Sequence, residues 1–462
     1  WPELKPLHGQ YGSIMREAQM LDGRMTLNSL FTSAIDDYTP GMRGATLANY
    51  VEFKDFIKDD AGKIVGVNCV DRMDPSGAVF PVKAKVVVNC TGVHADEVRQ
   101  KDDPSLEPRI VPSRGTHLMF KKGLLKENQG IIVPETSDGR LLFIINYYGH
   151  PMVGTTDEFC DRTHHCEPSQ EEIDFLIEEI KPFLGHDYDY KANLMSAWAG
   201  LRPLVKADPS KDNKVGAKDE DTSSFRYKVK ELFQRQVRWL AFKVHGGKKK
   251  SSTAAISRNH VIEVSSSGLV SLMCGKWTSY RAQGEETVDL ILEKNPDAFK
   301  DSLTNEKGQT TKFKLIGGYS RGEIAADLPS QDTTVFQRYE DFLVFNFDKT
   351  VPRDVAKHLV KTYGTAALRV VEIGQLRGKT ARLHPDYPFV ESEVIYAVQS
   401  EMAMKPNDVV CRRVPISFID TESAKTVVLP RVVDLMAAEL NWTDEKKKAE
   451  LAEAIANLPA MK

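Results

Sequence analysis

Apolar positions along this chain change period several times, and each change marks an element. Thr26 to about Tyr38 carries helical spacing, followed by strand-like runs at Ala45–Phe53, Lys63–Val70 and Val79–Asn89. Met73-Asp-Pro-Ser-Gly77 between the last two is turn chemistry. Pro168 to Leu184 reads as a helix, with Ser169 as N-cap and Glu172 closing a capping box. Gly268-Leu-Val-Ser-Leu-Met-Cys274 is a buried-strand run, and Ala282–Leu292 returns to helical spacing. Residues 296–335 are polar, a linker with one strand expected at Phe313–Ile316. From about residue 336 the pattern is helical. Val355, Leu359, Val360 and Tyr363 share one face, and Gly364 can stop that helix. Further helices are expected at Ser392–Met402 and Pro430–Leu440, and Thr443 suits the cap of a last one.

Composition narrows the function classes. At 462 residues the chain has room for two or three domains, and a net charge of −3 argues against nucleic-acid binding. The 6 cysteines show no disulfide-scaffold spacing, so free thiols are expected. No apolar run reaches the length of a membrane span. Cys160, His164, His165 and Cys166 crowd together like metal ligands.

Three segments carry candidate chemistry. Gly275-Lys-Trp-Thr-Ser-Tyr-Arg281 joins the apolar strand to the helix after it. That junction collects free backbone N–H groups, the positive end of a helix dipole and the Lys276 ammonium, which suits an anion or an electron-rich ring edge. Gly200-Leu-Arg-Pro-Leu204 and Ser257-Arg-Asn-His260 each offer an arginine fork matched to phosphate or carboxylate. Each arginine taken alone reads equally as half of a structural ion pair.

In this order the three segments resemble the FAD-dependent glycerol-3-phosphate dehydrogenases. Val88-Asn-Cys-Thr-Gly-Val-His-Ala-Asp96, Pro112-Ser-Arg-Gly-Thr-His-Leu118, Thr136-Ser-Asp-Gly-Arg140, Gly154-Thr-Thr-Asp157 and Thr163-His-His165 follow the same family pattern. So do Phe389–Val394, Arg412-Arg413 and Leu440-Asn-Trp442 in the tail. The resemblance implies an α/β (α+β) FAD-dependent oxidoreductase fold of the D-amino-acid-oxidase/glycerol-3-phosphate-dehydrogenase type, N-terminally incomplete, with a helical C-terminal domain. Residues 1–295 are then a partial FAD-dependent oxidoreductase domain, with a substrate-binding sheet at about 100–260; residues 296–335 are a linker and 336–462 the helical domain. The family opens with a glycine-rich flavin turn, and no G-x-G-x-x-G stands near residue 1. A partner chain supplying that segment is one reading of this.

What the resemblance implies for chemistry is specific. Glycerol 3-phosphate is oxidised to dihydroxyacetone phosphate, and electrons pass through FAD to a quinone. Arg202, Arg258 and Lys276 would hold the phosphate, and His117 would take the hydroxyl proton. Gly275, Lys276, Trp277 and Thr278 would meet the flavin ring, and Thr91 and Gly92 the adenosine side. The family carries its two histidines at His164-His165 without a metal, so none is expected. Cys274 and Asn146-Tyr147 depart from the family pattern, which has glycine and Pro-Trp there. So does an insert at 207–254. Val229, Phe233, Val237, Leu240 and Val244 in it form an apolar stripe flanked by basic residues. Residues 225–250 thus read as a basic amphipathic helix, resting either on an anionic membrane surface or on protein. The expected location is the mitochondrial inner membrane, held peripherally. Two other readings are a structural subunit of a respiratory assembly that has lost the activity, and a flavin oxidase that uses oxygen.

Overall fold

In the computed structural model, residues 19–36, 43–125, 129–206, 260–273, 276–300, 308, 310–311, 313–318, 333–347, 350–458 and 460–461 are described. The chain divides into two units, and neither follows a single cut in the sequence. One gathers residues 50–192 and 198–311, the other 8–49 and 312–462, each with a short further segment. The first helix, α1 (Asp22–Ser33), thus belongs with the C-terminal helices.

Among the described residues the first unit is built on three sheets. In the first, β1 (Val51–Lys58), β2 (Ile64–Asp71) and β3 (Val79–Lys83) pair antiparallel in chain order. The strand expected from Ala45 begins only at Val51, because Tyr50 takes a left-handed backbone conformation (φ 57°) that no continuous strand can contain. The run expected at 79–89 is two strands in different sheets. After β3 the chain leaves the first sheet, and β4 (Val88–Asn89) joins the sheet that also holds β11 (Val261–Val264) and β12 (Val270–Met273). There β11 and β12 run antiparallel, while β12 and β4 run parallel. The carboxyl ends of β4 and β12 therefore share one edge. β4 leads through Gly92 into α2 (Ala95–Asp102), and β12 leads to α4 (Tyr280–Lys294).

The large sheet has the order β10 (Leu194–Val205), β5 (Ile110–Phe120), β8 (His150–Gly154), β7 (Leu142–Tyr147) and β6 (Gly130–Val133). A short strand β9 (Glu158–Phe159) pairs with the start of β5. Leu118, Phe120, Val133, Ile144 and Val153 are buried in it. Helix α3 (Gln170–Leu184) packs on β5 through a stripe of Ile173, Leu176, Ile177 and Ile180, spaced three and four apart. Its start is the capping box expected from sequence: Ser169 Oγ accepts from Glu172 N, and Glu172 accepts from Ser169 N.

In the second unit, α5 (Thr333–Asn346), α6 (Arg353–Tyr363), α7 (Ala367–Arg377) and α8 (Glu391–Ser400) enclose one apolar core. Val355, Leu359, Val360 and Tyr363 of α6 all face it, and Gly364 (φ 56°) ends the helix. α9 (Leu429–Leu440) and α10 (Asp444–Ala456) follow, with Thr443 Oγ1 capping the latter. The strand expected at Phe313–Ile316 does not form. Its backbone groups find side chains of α1: Asn28 Nδ2 donates to Ile316 O at 3.1 Å, and Ile316 N donates to Thr32 Oγ1 at 2.9 Å. The insert at 207–254 lies outside the described residues.

Replacing Ser169 by Ala removes one acceptor from the first turn of α3. A loss of about 1 kcal/mol is expected, read as a lower denaturant midpoint at unchanged slope. An unchanged midpoint would mean that the cap does not hold this helix end.

Candidate functional site

Alternation along β5 sets the first half of the site. Gly115 and His117 lie two apart and share a face of the strand, and His117 stands opposite Gly154 of β8. The imidazole stacks on Trp198 of β10, centroids 4.3 Å apart and planes at 14°. Arg202, four residues on in β10, lies across the backbone of Gly115. A Cβ there would come within 2.4 Å of Arg202 Nη2. A Cβ on Gly154 would come within 2.2 Å of the His117 ring. A side chain at Gly154 would force the His117 ring to shift, and one at Gly115 would push the mobile end of Arg202 out of its present place.

Arg202 is held by the segment after β8. Its Nη2 donates to Thr155 Oγ1 at 2.9 Å and its Nη1 to Thr156 O at 3.1 Å, with Asp157 Oδ1 at 3.7 Å. That segment is itself tied down. Thr156 Oγ1 accepts from Thr116 N (2.8 Å) and donates to Glu172 Oε1 (2.6 Å), so the capping-box carboxylate of α3 also anchors the arginine's support. Asp157 accepts from Ser113 Oγ.

Burial, with the Arg202 charge adding to it, pushes the His117 imidazolium down to about 3. The ring is therefore neutral at physiological pH. Its Nδ1 is buried and has no hydrogen-bond partner among the described residues.

The second half of the site lies at the shared edge of β4 and β12. The turn after β4 is organised by Asn89. Its Oδ1 accepts from Thr91 N and Oγ1 (3.2 and 2.7 Å), and its Nδ2 donates to Ala95 O and Ser271 Oγ (3.0 and 3.2 Å). Gly92 follows with φ 60°, exposed Thr91 before it. After β12, Lys276 is extended and exposed, and Trp277–Ser279 form the single tight turn that opens α4. No side chain caps either turn, which leaves backbone N–H groups open to a ligand. Trp277 Nε1 is buried and without a hydrogen-bond partner among the described residues.

Beneath both halves lies a buried charge network. Asp96 accepts from Arg109 N (2.9 Å), Ile110 N (2.7 Å) and Arg99 Nη1 (2.7 Å), while Arg99 and Arg109 both bond Glu263. It joins α2, the start of β5 and β11, and so ties the sheet of β4, β12 and β11 to the large sheet.

The structure thus brings His117 and Arg202 together, and places Thr91 and Gly92 beside the segment of Lys276, Trp277 and Thr278. Arg258 and Gly275 lie outside the described residues. His260, two positions after Arg258 in the sequence, pairs with Glu286 at 2.5 Å. Sequence reasoning placed Gly115 and Gly154–Asp157 in family motifs without giving them a role, and it missed Trp198. Glycines inside strands that also carry His and Arg were the available signal. Among the described residues no cluster of His, Cys, Asp and Glu has metal-binding geometry.

Residues 2–224 match the family model of FAD dependent oxidoreductases, and residues 308–447 match the C-terminal domain of alpha-glycerophosphate oxidase. The probable mitochondrial glycerol-3-phosphate dehydrogenase of Dictyostelium discoideum is 31% identical over 443 residues, covering 94% of this chain and 59% of that protein. The mitochondrial glycerol-3-phosphate dehydrogenase of Mus musculus is 32% identical, covering 95% and 52%. The chain thus spans about half the length of the curated relatives it matches. Among solved structures, a glycerol-3-phosphate dehydrogenase from Bacillus halodurans complexed with FAD superposes with a TM-score of 0.67 at 25% identity, covering 94% of this chain and 72% of that one.

Two outcomes follow from the packing around His117. Gly154→Ala should destabilise the protein by about 1–3 kcal/mol through overpacking, read by denaturant unfolding; an unchanged midpoint would show that the ring can step aside. A pH series tests the depressed pKa. An unfolded His binds its proton near 6.5, and this one waits until about 3. The unfolded state therefore holds more protons between those values, and stability falls as pH falls through that window. His117→Gln should shrink the loss of unfolding midpoint between pH 7 and pH 4; the same loss in both proteins would contradict the assignment.

Proposed function

The chain belongs to the FAD-dependent oxidoreductases, with a C-terminal domain of the alpha-glycerophosphate oxidase kind, and we propose that it oxidises sn-glycerol 3-phosphate to dihydroxyacetone phosphate, passing electrons through FAD to a quinone. The observation that carries this reading is the pairing of a neutral, half-buried His117 with a cation, Arg202, held in place beside it. A phosphomonoester needs charge-assisted donors, and Arg202 presents its fork with the orientation already set by Thr155 and Thr156. Arg258 and Lys276 add positive charge in the same proposal.

The residues divide the work. When the substrate phosphate pairs with Arg202, its negative charge offsets one of the two causes that hold the His117 pKa low. The imidazole then becomes a better base at the moment the C2 hydroxyl arrives. His117 Nδ1 is sealed from solvent, so Nε2 is the nitrogen that takes the hydroxyl proton. Trp198, stacked on the ring, keeps its plane fixed and water away from one face. FAD, when bound, supplies the hydride acceptor. The uncapped turns after β4 and β12 and the unpartnered Trp277 Nε1 fit such a group. Thr91 and Gly92 would hold the adenosine side, and Gly275, Lys276, Trp277 and Thr278 the ring side.

The same proposal places the protein peripherally on the mitochondrial inner membrane. The relatives' mitochondrial names and the basic amphipathic reading of residues 225–250 support it. No described helix is long and apolar enough to cross a membrane.

Steady-state kinetics with a soluble quinone test it. Arg202→Ala should raise KM for glycerol 3-phosphate by about 10–100-fold, the worth of one hydrogen bond to a charged group. His117→Asn should lower kcat by about 10²–10⁴-fold, as expected for loss of a general base. Kinetics unchanged in both variants would remove the assignment.

A further inference from the structure

The helical unit contains a cavity of about 200 Å³ that the proposed oxidation does not use. Arg24, Phe31, Ala366, Tyr396, Ser400 and Glu401 are among its walls. Arg24 is only 6% exposed. Its Nη1 is ion-paired with Glu401, and its guanidinium carbon lies over the Tyr363 ring, 4.4 Å from the centroid. Its Nε and Nη2 are both buried and have no hydrogen-bond partner among the described residues. These two N–H groups occupy one edge of the planar guanidinium and point the same way. They form the side-on fork that receives two oxygens of one oxyanion. Leaving two donors of a buried cation unmade is costly, so the fork asks for an occupant.

Charge and size narrow that occupant. Glu401 already neutralises part of Arg24, and it also receives Arg413, whose Nε stands 3.7 Å from Glu401 Oε2. Behind Tyr363, Glu393 accepts from the phenol hydroxyl at 3.1 Å and contacts His358 at 2.8 Å. Two arginines facing two carboxylates leave no net positive charge, which penalises a dianion more than a monoanion, so the two unmade N–H donors rather than net charge must hold the ligand. Phe31, Ala366 and the Tyr396 ring offer an apolar surface to whatever carries it. A cavity of about 150 Å³ accepts benzene, so this one has room for about six to eight non-hydrogen atoms.

We propose that the cavity binds a small monocarboxylate of about three to five carbons, its two oxygens on the Nε and Nη2 edge of Arg24 and its carbon body against Phe31 and Tyr396. The site lies wholly within the helical unit and does not rest on the dehydrogenase reading.

Calorimetric titration of the full chain tests this, in a buffer free of carboxylate and phosphate. The probes are butyrate, pyruvate and, in a separate arm, inorganic phosphate. One-site binding of at least one carboxylate is expected, with phosphate at least tenfold weaker. Arg24→Lys keeps the charge facing Glu401 and lacks the fork. Ala366→Leu fills the cavity and leaves every charge in place. Each should weaken carboxylate binding at least tenfold, and circular dichroism checks that each variant is folded. If Arg24→Lys does not fold, Ala366→Leu decides alone, because a carboxylate bound at Arg202 instead would be insensitive to it. The proposal is overturned by no saturable carboxylate binding, by binding that Ala366→Leu leaves unchanged, or by phosphate binding as tightly as the carboxylates.

Discussion

Everything at the sheet site depends on space beside two backbone positions. Gly115 lets the Arg202 guanidinium lie across β5, and Gly154 lets the His117 ring lie against β8. The two side chains come from different strands, and a methyl group at either glycine would displace one of them. From this close approach follow the stacking of Trp198, the grip of Thr155 and Thr156 on the arginine, and the neutral state of the imidazole. A cation beside a desolvated imidazole suits the anionic substrate proposed above.

A second constraint keeps this geometry rigid. Glu172 closes the capping box of α3 and also receives Thr156, so one carboxylate serves a helix terminus and the support of the site. Arg99, Arg109, Asp96 and Glu263 perform a comparable service below, where all four are buried. Breaking such a network leaves an uncompensated buried charge, which costs several kcal/mol, about 3–5. Two of its members, Asp96 and Arg99, lie in α2, the helix that β4 leads into. The motif that carries Thr91 and Gly92 thus ends in Asp96, a residue whose evident role is to hold two sheets together.

Local signals in the sequence proved legible where a single turn or face decided the outcome. Ser169 and Glu172 name their helix start because the capping box needs only residues three apart. The α6 stripe ending in Tyr363 is visible because 3.6-residue periodicity is a local property. Thr443 caps its helix for the same reason. What escaped needed contacts from distant sequence. Phe313–Ile316 has strand composition, yet its backbone groups meet α1 rather than another strand. Val79–Asn89 is one apolar run shared by two sheets. Gly115 and Gly154 look like ordinary strand glycines until Arg202 and His117, remote in sequence or across a strand pair, are placed against them. The order of motifs made the family legible, and the roles of its individual residues became arguable only with the packing around them.

The central claim is that the His117–Arg202 pair serves a flavin that glycerol 3-phosphate reduces. The most direct measurement is the visible absorbance spectrum of the purified native protein under anaerobic conditions, before and after adding glycerol 3-phosphate. Oxidised flavin bands that bleach on addition of substrate are expected. Flavin bands that persist unchanged, or a protein that carries no flavin, would contradict it.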